Sequence, residues 1–187
     1  MTPIRQAART LVLFAMCAFW AGSAHADSAS KLEASARAAL KQLDASSTKA
    51  AALRKNAVAV LVFPEIYKGG FLIAGQHGHG VLFKGDTVAG YYDSTAASFG
   101  LQAGVQKFGY ALIFMSNKDL SYLNSSSGWE VGTAPSLTVV DKGIAGSLST
   151  TTVKDGIYAF FFAQQGLMGG LGLQGAKITK VSRGSLG

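Results

Sequence analysis

Short apolar runs interrupted by glycine dominate this chain and constrain its fold more than any other feature. They extend from Lys68 to Phe114 and return at Ile157–Val181, and the chain holds 23 glycines in 187 residues. Glycine inside a strand marks a bulge, a sharp bend, or a place where another backbone or a ligand comes close. Because the runs are rich in Phe, Tyr, Val and Leu, the pattern predicts a strongly curved antiparallel sheet or barrel.

Residues 1–26 have the pattern of a secretory signal peptide. Arg5 and Arg9 precede an apolar run at Leu11–Ala21, and Ala24-His25-Ala26 supplies the small residues of a cleavage site. The apolar run is shorter than the roughly 20 residues that cross a bilayer. We therefore expect cleavage after Ala26 and a protein that is periplasmic or secreted.

The expected mature chain, residues 27–187, has the length of one domain. Cys17 is the only cysteine, and Met16 stands before it where a lipoprotein signal needs a small residue, so we expect neither a lipid anchor nor a disulfide. Loss of Arg5 and Arg9 would lower the formal net charge from +7 to +5. This charge favours anionic partners such as phospholipid headgroups, whereas no basic motif of a nucleic-acid-binding protein is present.

Helical periodicity is confined to three stretches. Apolar residues spaced by three and four predict an amphipathic helix over Ser28–Ser46, and a shorter helix over Ser47–Asn56 follows it. A third helix, over Asn117–Asn124, begins with a capping residue. The helical part of the expected domain is therefore 28–56, and the third helix lies within the strand-rich part, 57–181.

From residue 57 to residue 181 the apolar spacing changes toward two, which predicts strands. Pro64 and Gly69-Gly70 are expected to end the first of them, and Lys84-Gly85-Asp86 is expected to be a tight turn. The predicted strands are Ala57–Phe63, Phe71–Gln76, Gly80–Lys84, Thr87–Tyr92, Ser98–Gln106, Gly109–Met115, Trp129–Gly132, Ser136–Asp141 and Ile157–Gln164, before a glycine-rich end at Gly166–Val181. The fold class is thus α+β, with N-terminal helices packed on a curved, glycine-rich antiparallel sheet or barrel.

His77 and His79 are the first candidates for chemistry. Two residues apart on a strand, both imidazoles point to the same side and could meet one metal ion. A third ligand would have to come from Asp86, Asp93 or a more distant residue, and no spacing nominates one. Two solvated histidines at a hairpin tip explain the motif without a metal, and we expect no cofactor.

The motifs of common enzymes are missing from the sequence. No Gly-x-Ser-x-Gly elbow is present, and both histidines of the expected mature chain lie in one glycine-rich turn. The glycines of Gly166–Gly175 lack the Lys-Ser/Thr that completes a phosphate-binding loop. We therefore predict a binding protein and not an enzyme.

Aromatic and basic residues are the candidates for binding. Phe160-Phe161-Phe162 places aromatic rings on both faces of one strand, so either a second layer covers the far face or an apolar surface is exposed for a ligand. The cations are scattered, and a solvated face explains them as well as a headgroup site does. The candidate headgroup-binding residues are Lys177, Lys180, Arg183, Arg54 and Lys55.

Five segments of this chain resemble the SYLF domain, and more narrowly its bacterial secreted branch. They are Val58–Gly75, Gly78–Phe83, Ser98–Met115, Gly128–Lys142 and Ile157–Thr179. The resemblance implies a lipid-binding domain without enzymatic activity. Eukaryotic relatives bind phosphoinositides and other anionic membranes, and some bind actin. An exported bacterial protein meets neither phosphoinositides nor actin, so only anionic lipid binding is carried over.

The sequence thus predicts binding of anionic phospholipid, or of another phosphate-bearing ligand, at the bacterial envelope. Membrane insertion by the first helix is not part of this prediction, because the apolar face of Leu32–Leu43 is mostly alanine. The alternative is a structural or interaction protein of the envelope that binds another protein through exposed aromatic strands.

Overall fold

Two long antiparallel strands form the centre of the fold in the computed structural model, which describes residues 28–124, 128–131, 137–140, 156–166 and 175–186, with the side chains of 72, 98–103 and 164–166 left aside. Strand β1 spans Ala59–Lys84 and strand β2 spans Thr87–Phe114. They pair from Ala59 opposite Phe114 to Lys84 opposite Thr87. Gly85 has φ +58° in the turn between them, which confirms the predicted tight turn.

Six of the predicted strands are therefore parts of two continuous ones. The prediction that Pro64 and Gly69-Gly70 end the first strand is wrong. The pairing register shifts between Phe63 and Ile66, and such a bulge accommodates a proline, which has no N–H to donate. The chain bends at these positions while its pairing with β2 continues.

On the edge of β2 that faces away from β1, two further strands pair with different segments of β2. The remaining strands are β3 (Trp129–Glu130), β4 (Leu137–Val140), β5 (Ile157–Gly166) and β6 (Lys177–Val181). β5 pairs with the C-terminal part of β2, and β6 pairs with Tyr91–Thr95. β3 pairs with β6, and β4 lies parallel to β5. The predicted curved sheet is confirmed, but it is mixed because the β4–β5 pair is parallel and not antiparallel.

The predicted helices are confirmed. Helix α1 spans 28–46, α2 spans Thr48–Asn56, and α3 (Asn117–Leu120) continues as a 3-10 turn over Ser121–Asn124. The N–H of Ala50 donates to Ser47 Oγ at 3.2 Å, a local cap of the kind that makes helix starts readable from sequence. Within the described ranges, no helix is long and apolar enough to cross a membrane.

Alternate residues of the sheet enter two hydrophobic cores, one on each face. The inner core lies between strands and includes Leu61, Phe63, Phe108, Tyr110, Leu112, Trp129 and Ile178. The outer core lies under α1 and α2 and includes Leu40, Leu43, Leu53, Val60, Val62, Ile113, Phe160 and Phe162. Because Phe161 packs against the inner core, both faces of this aromatic strand are covered, as one of the two interpretations predicted.

Candidate functional site

The bend in the middle of β1 and β2 exposes large apolar side chains. Phe71 is 74% exposed, Val105 70%, Ile73 59% and Tyr67 54%. The bend of β2 lies between two paired segments of the same strand. The first pairs with β6 and ends at Thr95, and the second pairs with β5 and begins at Gln106. Among the described strands, only β1 and β2 pair here. We call these four side chains the apolar crest.

Glycines at the bend explain why the crest protrudes. A Cβ at Gly70 would lie 2.0 Å from the carbonyl oxygen of Ile73, so the chain turns tightly on this side. The cross-strand partner of Gly70 is Gly104, whose φ of +139° is rare for residues with a side chain. Because successive side chains point to opposite faces of a strand, Phe71 lies on the outside of the bend.

The bend at Gly70 divides β1 into two arms, residues 59–69 and 71–84, and these arms approach each other below the crest. A Cβ at Gly78 would lie 2.4 Å from the carbonyl oxygen of Glu65, and one at Gly80 would lie 2.6 Å from the ring of Phe63. These contacts confirm that strand glycines here mark close approach of chain segments. They also bring Glu65 of the first arm close to the His77 and His79 segment of the second arm.

A groove of about 330 Å³ lies where the two arms meet α1. It is lined by Leu32, Ser35, Pro64, Glu65, Tyr67, His77, Gly78 and His79. Tyr67 belongs to both the groove and the apolar crest. The two features therefore form one continuous surface, which sequence reasoning missed because it placed a strand end at Gly69-Gly70.

The two histidines lie side by side in this groove. The ring centroids of His77 and His79 are 4.9 Å apart, and Nδ1 of His79 is 2.6 Å from Oδ1 of Asp93. Asp93 is thus the partner of one histidine, whereas the backbone carbonyl of Asp86 accepts a hydrogen bond from Arg37. In the part of the chain that is described, no three His, Cys, Asp or Glu side chains are placed to hold a metal ion.

A charged pair lies at the base of the crest. Nζ of Lys107 is 2.6 Å from Oε1 of Glu65 and 5.5 Å from the ring centroid of Tyr67, whose hydroxyl donates to Oε2 of Glu65 at 2.9 Å. The hydrogen bond from Lys107 lowers the pKa of the Glu65 carboxyl, and the same bond raises the pKa of Lys107. Both groups are therefore charged at neutral pH.

Two of the five predicted headgroup residues form ion pairs with α1. Arg54 contacts the carboxylate of Asp44. Nη2 of Arg183 is 3.6 Å from Oε1 of Glu33, which also accepts a hydrogen bond from the Tyr91 hydroxyl at 2.5 Å. Their charges are therefore balanced within the protein.

The three predicted lysines are exposed to solvent. Lys55 lies in the last turn of α2, and Lys177 and Lys180 lie in β6. Because Lys177 and Lys180 are three positions apart on a strand, their side chains leave it on opposite sides. The fold therefore does not gather these two cations on one face of β6, and their assignment to headgroup binding stays a prediction.

No curated protein matches the chain. Residues 95–183, which run from the middle of β2 to the residues after β6, match the Ysc84 family, described as a Las17-binding protein and actin regulator. Over these residues the chain is similar to the Ysc84 family, which is the SYLF-domain family that its sequence resembles.

Proposed function

We propose that this protein binds anionic phospholipid at the bacterial envelope and catalyses no reaction. The observation that carries the proposal is exposed positive charge on a chain whose formal net charge is +7, or +5 without residues 1–26. Lys55, Lys177 and Lys180 are exposed. A lysine held near an anionic membrane surface contributes about 1 kcal/mol of attraction, so a few such residues are enough for reversible binding.

The match of residues 95–183 to the Ysc84 family supports a binding role in general. The family's description names a protein partner and actin regulation, and neither term is an enzymatic activity. We place this chain outside the cytoplasm, because its first 26 residues have the pattern of a signal peptide. In that compartment a lipid surface is available and actin is not.

Co-sedimentation with vesicles tests the proposal. The purified protein is mixed with vesicles of graded anionic lipid content at low and at high salt. The bound fraction should rise with anionic content and fall with salt, because screening weakens attraction between exposed charges. If no vesicle composition binds the protein at either salt concentration, the proposed function is wrong.

Charge reversal tests the predicted headgroup residues. Replacing Lys177, Lys180 and Arg183 by Glu should abolish binding at low salt. A matched control reverses Lys41, Lys84 and Lys118, which are exposed at other places and change the net charge equally. If both triple variants lose binding to the same extent, net charge explains the effect and the residue assignment fails.

Binding of another protein is the second candidate function, and the family's description favours it. The aromatic strand Phe160-Phe161-Phe162 is covered on both faces, so the partner would have to use a different surface. Crosslinking in intact cells followed by mass spectrometry separates the two candidates. A single protein captured reproducibly, together with no binding to vesicles, would favour this function.

A further inference from the structure

We infer that the apolar crest inserts into the outer part of a phospholipid bilayer. The crest consists of Tyr67, Phe71, Ile73 and Val105. The inference rests on the proposed function and adds which surface meets the lipid. It assigns the apolar part of the contact to the bend of the β1–β2 ribbon, whereas the sequence pointed to basic residues and to the aromatic strand Phe160-Phe161-Phe162.

Exposure of the crest side chains indicates that they have a partner. Phe71 is 74% exposed and Ile73 59% exposed, although the same strand buries Leu61, Phe63 and Ile66 completely. Single exposed apolar residues are common on protein surfaces, but neighbouring ones mark a binding surface. Tyr67 lies opposite Lys107, and two positions further along each strand Gly69 lies opposite Val105, so the exposed side chains are neighbours across the ribbon.

Shape and area favour a bilayer over a second copy of the chain. The crest exposes on the order of 500 Å² of apolar surface, since it contains two aromatic side chains, each of roughly 150–250 Å², and two smaller aliphatic ones, all of them partly exposed. A stable protein–protein interface buries about 800 Å² on each partner. The crest is also the outside of a tight bend at Gly70, and a narrow protruding ridge can enter between lipid headgroups.

Charge at the crest matches the layered chemistry of a membrane. Lys68 lies on β1 three positions before Phe71, and Lys107, which is paired with Glu65, lies opposite Tyr67 on β2. When apolar side chains enter the acyl region, charged groups next to them on the ribbon reach the level of the phosphates. The Tyr67 ring, with its hydroxyl on Glu65, has the amphipathic character of residues at a membrane interface.

Removing the crest side chains tests the inference. The double variant Phe71→Ser/Ile73→Ser should bind anionic vesicles at least about tenfold more weakly, because burial of each large apolar side chain contributes a factor of that order. Val139→Ser is the matched control, since Val139 is 36% exposed on β4 and lies outside the crest. Circular dichroism should show both variants folded, because none of these side chains is buried.

A depth measurement separates insertion from an indirect effect. Lipids brominated on their acyl chains should quench the tryptophan fluorescence added by Phe71→Trp, measured as the difference from the unmodified protein. The fluorescence added by Val139→Trp should not be quenched. Unchanged vesicle binding by the serine double variant overturns the inference and leaves the proposed function standing. A dimer that dissociates in the double variant, with vesicle binding unchanged, also overturns it. Absence of vesicle binding by the unmodified protein overturns both.

Discussion

At the scale of single residues, one buried hydrogen bond connects the two halves of β2, on either side of its bend. Tyr110 is fully buried, and its hydroxyl donates to Oγ of Ser94 at 2.8 Å. Burial raises the pKa of this hydroxyl, so it remains a donor throughout the physiological range. Tyr110→Phe leaves the buried Ser94 hydroxyl without its donor. We expect the free energy of unfolding in urea to fall by about 1–2 kcal/mol.

The control for this prediction is Tyr67→Phe, which removes a hydroxyl of an exposed residue. Water can replace the lost partner at that position, so the free energy of unfolding should change by less than about 0.5 kcal/mol. Equal effects of the two substitutions would show that the buried hydrogen bond contributes no more to the free energy of unfolding than the exposed one does.

The Glu65 carboxylate balances the charge of Lys107 beside the crest. Removing this carboxylate should strengthen membrane binding. Because the pKa of Glu65 is lowered, the carboxylate is ionised at neutral pH and balances Lys107. Glu65→Gln removes that negative charge, and affinity for anionic vesicles should rise about fivefold at low salt, equivalent to one additional cation near the surface. Vesicle titration measures this change.

Asp86→Asn is the matched control for Glu65→Gln, because it removes the same charge at the exposed turn between β1 and β2. A smaller gain is expected there. Equal gains in the two variants would mean that net charge, and not the release of Lys107, determines the affinity.

Residue types and spacing predicted part of this detail. The placement of His77 and His79 side by side was predictable, because a strand of period two puts them on one side. The contacts of Arg54 with Asp44 and of Arg183 with Glu33 were not, since they depend on how the helices and the C-terminal residues pack. Candidate headgroup residues selected by sequence clustering therefore include cations that are already paired.

At the scale of elements, Gly70 determines the bend that carries the crest. Gly70→Ala would place a Cβ 2.0 Å from the Ile73 carbonyl oxygen and 2.5 Å from the Ala74 Cα, and neither backbone atom can move away cheaply. We expect the free energy of unfolding to fall by about 2 kcal/mol or more. Gly75→Ala is the control in the same strand, because no atom lies within 4 Å of its Cβ position.

Urea denaturation of the two alanine variants measures this difference. Gly75→Ala should change stability by less than about 1 kcal/mol, since the unfolded chain loses flexibility and no contact is disturbed. If Gly70→Ala is as stable as Gly75→Ala, the bend does not depend on close approach at this glycine.

Helices were predictable here and strand continuity was not. Helix starts have local signals, such as the cap at Ser47, and helix bounds follow from them. Pro64 and Gly69-Gly70 are also local signals, but β2 supplies hydrogen-bonding partners on both sides of each irregularity, so the strand bends instead of ending. The parallel pairing of β4 with β5 likewise has no local sequence signal.

At the scale of the whole molecule, the helices and the crest divide the outer surface of the sheet. α1 and α2 cover the outer core, and the groove separates α1 from the exposed bend. A membrane that meets the crest would therefore also meet the groove, with Glu65, His77 and His79 at headgroup level. The first helix is packed against the sheet through Ala36, Leu40 and Leu43, which favours the crest over this helix as the inserted element.

The compartment of the protein decides which partners the protein can meet. Measuring whether the signal peptide is cleaved tests the predicted compartment. Intact-mass measurement of the protein from the periplasmic or secreted fraction should show a chain that begins at Asp27, because signal peptidase requires the small residues Ala24 and Ala26. Ala26→Arg should block processing and leave the precursor, whereas Ala26→Ser should not. An unprocessed wild-type chain in the cytoplasm would contradict the prediction. It would also return cytoplasmic proteins to the list of candidate partners and restore Arg5 and Arg9 to the charge that meets anionic lipid.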